Sequence, residues 1–400
     1  MAEGSFRRLL AATALSDTAQ GVFTMASVLT AAGAAGSAWL VAAVTAAATL
    51  PWLVLGIPIG MVVDSVSRRW TLAAASLGRA ALMLLLGWLL LAGNAPAWLL
   101  LAAVFLVGAL QVMLETSAEA VLPGIVERTG LTRANGQLAV ATRVTNQFVG
   151  PAAAGVLFGL SAALPYLISA AACLVAVVLQ VAVVPTRTAA PGGPARFGAG
   201  IRAIARDPVL RTLVTVSGVT TLANAAFLTA LVPYAVAPGP LMLSSAAYGV
   251  TVSVIGVGAA VGSLLTARLA ALVGRARVLW LSRVGWALLF TSPLVTGGWV
   301  FMLLAGAGSI LGGMWAVMAL TVRQTTVPRE LLGQVAGATR SLTYGATPIG
   351  AALGGALTAA GGASSVFLSA AAITLLLIVP LRRSLSERRL RAAEDRVSTG

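Results

Sequence analysis

The chain has 400 residues, 59% hydrophobic and only 9% charged, against roughly 25% charged in an average soluble domain. A soluble fold of this size could not cover its surface with so few charges, and a mean hydropathy of +0.96 makes lipid the solvent. The net charge is +15 and all 26 basic residues are arginine; with no lysine, no histidine and one cysteine, Cys173, a disulfide framework, Cys/His zinc sites and a lysine-dependent Walker A loop are excluded.

A membrane-crossing helix needs about 20 mostly apolar residues. Runs of that kind occupy residues 9–31, 38–62, 70–92, 97–118, 135–157 and 164–184, then 210–234, 244–267, 278–296, 299–322, 331–359 and 364–381. Arg7 and Arg8 precede a first run too long for the core of a cleavable signal peptide, so it reads as a span that also directs insertion. The arginines lie in short gaps between runs, which argues against nucleic acid as a partner.

Sidedness supports twelve spans. The connections at 33–37, 93–96, 159–163, 235–243, 297–298 and 360–362 contain no charged residue. The opposite side holds Arg7 and Arg8; Asp64, Arg68 and Arg69; Glu127, Arg128 and Arg133; the 187–211 arginine cluster; Arg268, Arg275 and Arg277; Arg323, Arg329 and Glu330; and the tail. Basic loops stay in the cytoplasm, which places both termini inside and the chain in an inner or plasma membrane as a multi-pass protein.

A Pro-Gly-rich break with Pro191 and Pro194, followed by the basic stretch 197–206, divides the runs into two sets of six. The expected organisation is a six-helix bundle over 1–184, a cytoplasmic linker over 185–208, a second bundle over 209–381 and a basic tail over 382–400. The linker reads as a surface helix, and the tail as a segment resting on anionic headgroups. The halves repeat: residues 136–143, Gly-Gln-Leu-Ala-Val-Ala-Thr-Arg, match residues 333–340, Gly-Gln-Val-Ala-Gly-Ala-Thr-Arg, and the match reaches Pro151 and Pro348. At a slightly larger separation Arg79 falls near Arg283, and Gln20 and Phe23 pair with Asn224 and Phe227. Duplicated bundles suit a transporter, because they can rock about a site between them.

The loop from Gly60 through Asp64 to Arg68 and Arg69 resembles the signature G-x-x-x-D-R/K-x-G-R-R/K of the major facilitator superfamily, departing from it at Ser65 and Ser67. Gly150, Pro151 and Gly155 look like the Gly-Pro motif of its antiporter branches. The stretches from Gly108 through Leu122-Pro123 and residues 133–136 to 146–151, and from Gly200 to Arg211, are similar to its bacterial drug and macrolide exporters. The resemblance covers essentially the whole chain. It implies an all-α integral membrane fold of twelve helices in two pseudo-symmetric halves. It also implies proton-coupled efflux of a hydrophobic or amphiphilic small molecule by alternating access, with the protein acting as a monomer. No cofactor, metal or enzymatic chemistry is expected. An importer or facilitator of the same fold is the alternative, and a non-transporting membrane sensor a remote one.

Without histidine, any coupled proton must travel on carboxylates. Asp17 lies about 12 Å into the first run at 1.5 Å per residue, and an intramembrane acid is a functional candidate by default. The plainer reading is an acid that only hydrogen-bonds a neighbouring helix. Glu115 and Glu119 share one helix face four residues apart; they read either as proton-uptake groups or as gate partners of Arg68, Arg69 or Arg133. The repeated arginines Arg143 and Arg340 could bind an anionic substrate group, balance Asp17 or Glu115, or snorkel to headgroups. Arg79 and Arg283 share that geometry with lower priority.

The resemblance further implies that Asp64 docks at the start of the eleventh helix and, with Gly60, Arg68, Arg69 and Arg133, forms a cytoplasmic gate. It also implies that Gln20, Asn146, Gln147, Asn224 and Tyr344 face a central cavity; interhelical hydrogen bonding is the rival account of each.

Overall fold

The computed structural model describes residues 2–33, 38–183, 198–235, 239–243, 245–295, 297–328 and 330–398. Most of the expected linker, including Pro191 and Pro194, and residues 34–37 and 236–238 of the outer connections lie outside them. The described chain is almost entirely helical. In order it forms α1 (Ala2–Gly33), α2 (Ala38–Val54), α3 (Gly56–Ser65), α4 (Arg68–Leu91), α5 (Ala97–Ile125), α6 (Leu131–Val144), α7 (Gly150–Leu160) and α8 (Leu164–Val183). There follow α9 (Ala199–Arg206), α10 (Pro208–Ala235), α11 (Ser245–Val273), α12 (Arg275–Thr291), α13 (Gly298–Thr326), α14 (Leu332–Leu376), α15 (Ile378–Ser384) and α16 (Glu387–Ser398).

Seven of the described helices are long and apolar enough to cross a membrane, or eight if the bent pair α2–α3 is one span. The others differ from the sequence-derived runs for identifiable reasons. α1 is long but carries Ser16, Asp17, Thr18 and Gln20 in its middle. The run at 38–62 is broken, with a 55° bend between α2 and α3. Pro58 lacks the N–H that the Val54 carbonyl needs, which is a standard cause of such a kink. The run at 135–157 starts earlier, at Leu131, and is interrupted by a π-helical turn over Thr145–Val149. Pro151 likewise deprives the Gln147 carbonyl of its partner and widens the turn. The runs at 331–359 and 364–381 merge in α14, but Gly362 has φ 75° and ψ 168° and is not helical.

Two compact units divide the chain. The first comprises Met1–Ala134, Ala141–Arg202 and Pro328–Ser341; the second comprises Asn135–Val140, Ala203–Val327 and Leu342–Gly400. In the first, Phe23 meets Tyr166 edge to face at 5.8 Å, within a core of Met83, Leu86, Val107 and Cys173. In the second, Phe227 packs on Phe290 and Phe367 at 5.1 and 5.4 Å. Lipid is as apolar as leucine, so these helices associate through close packing rather than hydrophobic drive. The start of α14 joins the first unit because Gly333 lies against the Gly60 carbonyl. In the same manner Gly136, at the start of α6, joins the second unit against the Ser263 carbonyl.

The tail packs one face onto the second unit. Leu385, Leu390 and Ala393 are buried with Val278, Leu279, Met318 and Val322 in a core of the second unit. Glu387 accepts from the Ala276 N–H at 2.7 Å, and Glu394 chelates Arg275, one of its two bonds 3.0 Å long. α16 is amphipathic, and the helix bundle offers its apolar face a drier seat than the bilayer interface. Arg388, Arg389 and Arg391 remain exposed.

Candidate functional site

The richest polar cluster lies inside the first unit. On α1, Ser16 and Gln20 are one turn apart and face α4, while Asp17 is turned about 100° away from Ser16. Arg79 of α4 is completely buried. Its Nη1 donates to Ser16 Oγ at 2.7 Å, and its Nη2 to the Ser16 carbonyl at 3.2 Å and Gln20 Oε1 at 3.1 Å. Its Nε has no partner among the described residues.

Asp17 is also buried, at 2% exposure. Thr142 of α6 donates to its Oδ2 at 2.6 Å, and Gln111 of α5 approaches its Oδ1 at 3.5 Å. The same Gln111 amide donates to Glu115 Oε1 at 2.9 Å, the pairing allowed four residues apart on a helix. One amide nitrogen thus bridges two carboxylates, while the amide's oxygen is buried without a donor among the described residues.

Glu115 continues the chain to Arg340, 3.6 Å away, and Glu119 lies 3.4 Å from the same guanidinium. Thr116 accepts from Arg340 Nη1 at 2.7 Å, and Trp52 offers its ring at 5.6 Å. A polar path therefore runs from Asp17 through Gln111 and Glu115 to Arg340; the Arg79 cluster adjoins it at Ser16, the residue before Asp17. Glu115, with a third of its side chain exposed, is its wettest acid.

A second cluster lies at the start of α14. Asp64 Oδ1 accepts from the Gly333 N–H at 2.9 Å and Oδ2 from the Gln334 N–H at 2.8 Å. These amides are in the first turn of α14 and lack acceptors within the helix, and the helix dipole favours an anion there. Gly333 is required, since a Cβ there would collide with the Asp64 carboxylate. Arg68 donates to the Ala120 carbonyl at 2.9 Å, Arg69 is half-buried and Arg133 is exposed. Arg340, from α14, lies against both Glu115 and Glu119.

The remaining candidates scatter. Arg143 is half-buried, and among the described residues no carboxylate lies within 4.0 Å of it. Gln20 belongs to the Arg79 cluster. The π turn carries Asn146, half-buried, and Gln147, exposed; Asn224 is half-buried, and Tyr344 is 44% exposed. Gly150 packs on the backbone of Gly21, where a Cβ would lie 2.7 Å from its Cα, whereas Gly155 faces open space. Gln111 and Thr142 escaped sequence reasoning. A polar residue one turn before an acid in an apolar run was the available signal for Gln111; nothing local distinguished Thr142.

This helical membrane fold, duplicated in sequence, is that of a transporter of the major facilitator type. The match to known proteins narrows it. Residues 1–398 match the family model described as transmembrane secretion effector, and the chain belongs to that family of the major facilitator superfamily. It is a multi-pass membrane transporter of small molecules in a lipid bilayer, not an enzyme. An uncharacterised MFS-type transporter of Sinorhizobium fredii, y4rN, is 29% identical over 368 residues, covering 88% of each chain. The fold is shared with the Escherichia coli fucose:proton symporter, at TM-score 0.77 and 15% identity over 95% of this chain and 98% of that one. It is shared also with a bacterial homologue of the iron transporter ferroportin, at TM-score 0.73 and 18% identity over 95% and 99%.

Proposed function

We propose that the protein exports a hydrophobic or amphiphilic small molecule in exchange for protons, by alternating access in a bacterial inner membrane. In this reading the chain crosses twelve times with both termini cytoplasmic and works as a monomer. The six uncharged connections, the length of α1, the continuity of α6 with α7 through the π turn and the break at Gly362 support that count. Export rests on the Gly150-Pro151 motif and the exporter-like stretches.

The observation that carries proton coupling is the Asp17–Gln111–Glu115–Arg340 path. Glu115, with a third of its side chain exposed, is the end of the path open to water. Rotation of the Gln111 amide then lets Asp17 exchange a proton with it. Arg340 and the Asp64-bound amides both belong to the start of α14, so a change of charge on the path acts on the helix that Asp64 holds. Asp64, Gly60 and Arg68 accordingly form the gate. A mainly apolar pocket with few fixed charges suits an amphiphile.

The test uses inverted membrane vesicles with a preset pH gradient and a panel of amphiphilic amines, carboxylates and macrolides. An exported compound should dissipate the gradient, and Asp17→Asn should abolish that dissipation while leaving compound binding measurable. Transport that persists unchanged after the gradient is collapsed refutes proton coupling.

A further inference from the structure

The pseudo-symmetry between the units is broken at one buried cation. Arg79 and Arg283 are separated by 204 residues, as are Ser16 and Thr220, Gln20 and Asn224, and Phe23 and Phe227. The geometry repeats too. Arg79 bonds Ser16, and Arg283 Nη1 bonds Thr220 Oγ1. Both arginines have no exposed surface.

The charge balance does not repeat. In the first unit the residue after Ser16 is Asp17, tethered to Gln111. At the same separation the second unit has Thr221 and Trp315. Arg283 lies with its guanidinium carbon 4.0 Å above the Trp315 ring, and its Nε and Nη2 both reach Ser282 Oγ, at 3.3 and 3.2 Å. Trp315 is itself anchored by its Nε1–H to Ser217 Oγ at 3.1 Å. Hydroxyls and a π face satisfy the guanidinium hydrogens in part but supply no negative charge. Among the described residues no carboxylate lies within 4.0 Å of either arginine, but the Asp17 charge acts on Arg79, whereas no charged group acts on Arg283. An uncompensated buried cation is costly, and an intramembrane one marks a functional site by default.

A second donor is nearby. Trp286 lies three residues along α12, on the Arg283 face of the helix, and its buried Nε1–H has no acceptor among the described residues. A guanidinium on an indole, with a free indole N–H one turn away, is the donor set of an oxoanion site.

We propose that Arg283 receives a carboxylate, sulfonate or phosphate group of the transported amphiphile, with Trp286 as second donor and Trp315 stacking on the molecule's apolar body. This rests on the transporter reading and adds a substrate class to it. Because Arg283 is fully buried here, the site loads only when the helices around it part.

The test measures equilibrium binding to the purified full chain of four probes of one shape: 2-naphthoate, 2-naphthalenesulfonate, 2-naphthylmethanol and 2-naphthylmethylammonium. The same probes are run in counterflow in proteoliposomes. Both anions should bind about ten-fold or more tighter than the alcohol, the worth of one charge-assisted contact. Arg283→Gln should bring the ratio near one, and Arg283→Lys should keep most of it. Thr221→Asp, which gives the second unit the acid of the first, should also erase the ratio with Arg283 intact, so the proposal stays testable if Arg283→Gln misfolds. A wild-type ratio near one, or a ratio that survives Thr221→Asp in folded protein, overturns the proposal. Anion-selective binding without counterflow keeps the site and defeats the transport reading; counterflow without anion preference does the reverse.

Discussion

Asp64 makes the most measurable prediction, because its two acceptors are the only protection that the Gly333 and Gln334 amides receive among the described residues. The next amide along, Val335, already bonds within the helix to Leu331 at 2.9 Å and is an internal reference. Asp64→Asn keeps one carbonyl oxygen but loses the charge and one acceptor. A hydrogen bond to a charged group contributes about 1.5 kcal/mol at the lower end, suited to a half-buried site, and the charge–dipole attraction about 0.5 kcal/mol. The total of about 2 kcal/mol corresponds to about 30-fold. Asp64→Ala removes both bonds, for about 3.5 kcal/mol or about 300-fold. The assay is hydrogen exchange of the α14 start in lipid nanodiscs, where faster exchange reports local opening. Gly333 and Gln334 should accelerate in that order of magnitude, Asn before Ala, with Val335 changing less. Exchange at Gly333 and Gln334 that is unchanged in Asp64→Ala refutes the docking and with it the proposed gate.

Arg340→Gln leaves Glu115 and Glu119 facing each other without their shared cation. The expected loss is about 3 kcal/mol, read as a lowered unfolding temperature in detergent that the added change Glu119→Gln restores in part; a single variant as stable as wild type contradicts the pairing. Gly150→Ala should impair folding or transport, since a Cβ there would lie 2.7 Å from the Gly21 Cα, whereas Gly155→Ala, with nothing within 4 Å, should be silent in both. Equal effects at the two glycines would separate the motif's role from packing. In the tail, Leu390→Ala should cost about 2–3 kcal/mol, as expected for a fully buried leucine. Limited proteolysis should then release α16; a tail that stays resistant shows that the docked helix does not depend on this contact.

Composition determined the solvent, because a chain with 9% charged residues must hide its backbone in helices within lipid, and the repeated segment showed the duplication. Family membership followed from local residues such as Gly60, Asp64 and Arg69, whose spacing survives in one dimension. The family resemblance also implied where Asp64 docks, at the start of α14.

Tertiary structure decided which polar side chains meet. Arg79 and Arg283, ranked below Arg143 and Arg340 from the sequence, are the fully buried pair, while Arg143 is half-buried. Arg340 lies against both Glu115 and Glu119. Gln111 and Thr142 became part of the acid network only when α5 and α6 were placed against α1. The physical reason is that these helices are apolar on nearly every face. In water the polar stripe of a helix reveals which side is buried. In lipid both the bilayer-facing and the protein-facing sides are apolar, so facing is set by close packing between neighbours, and that is a property of the assembled bundle.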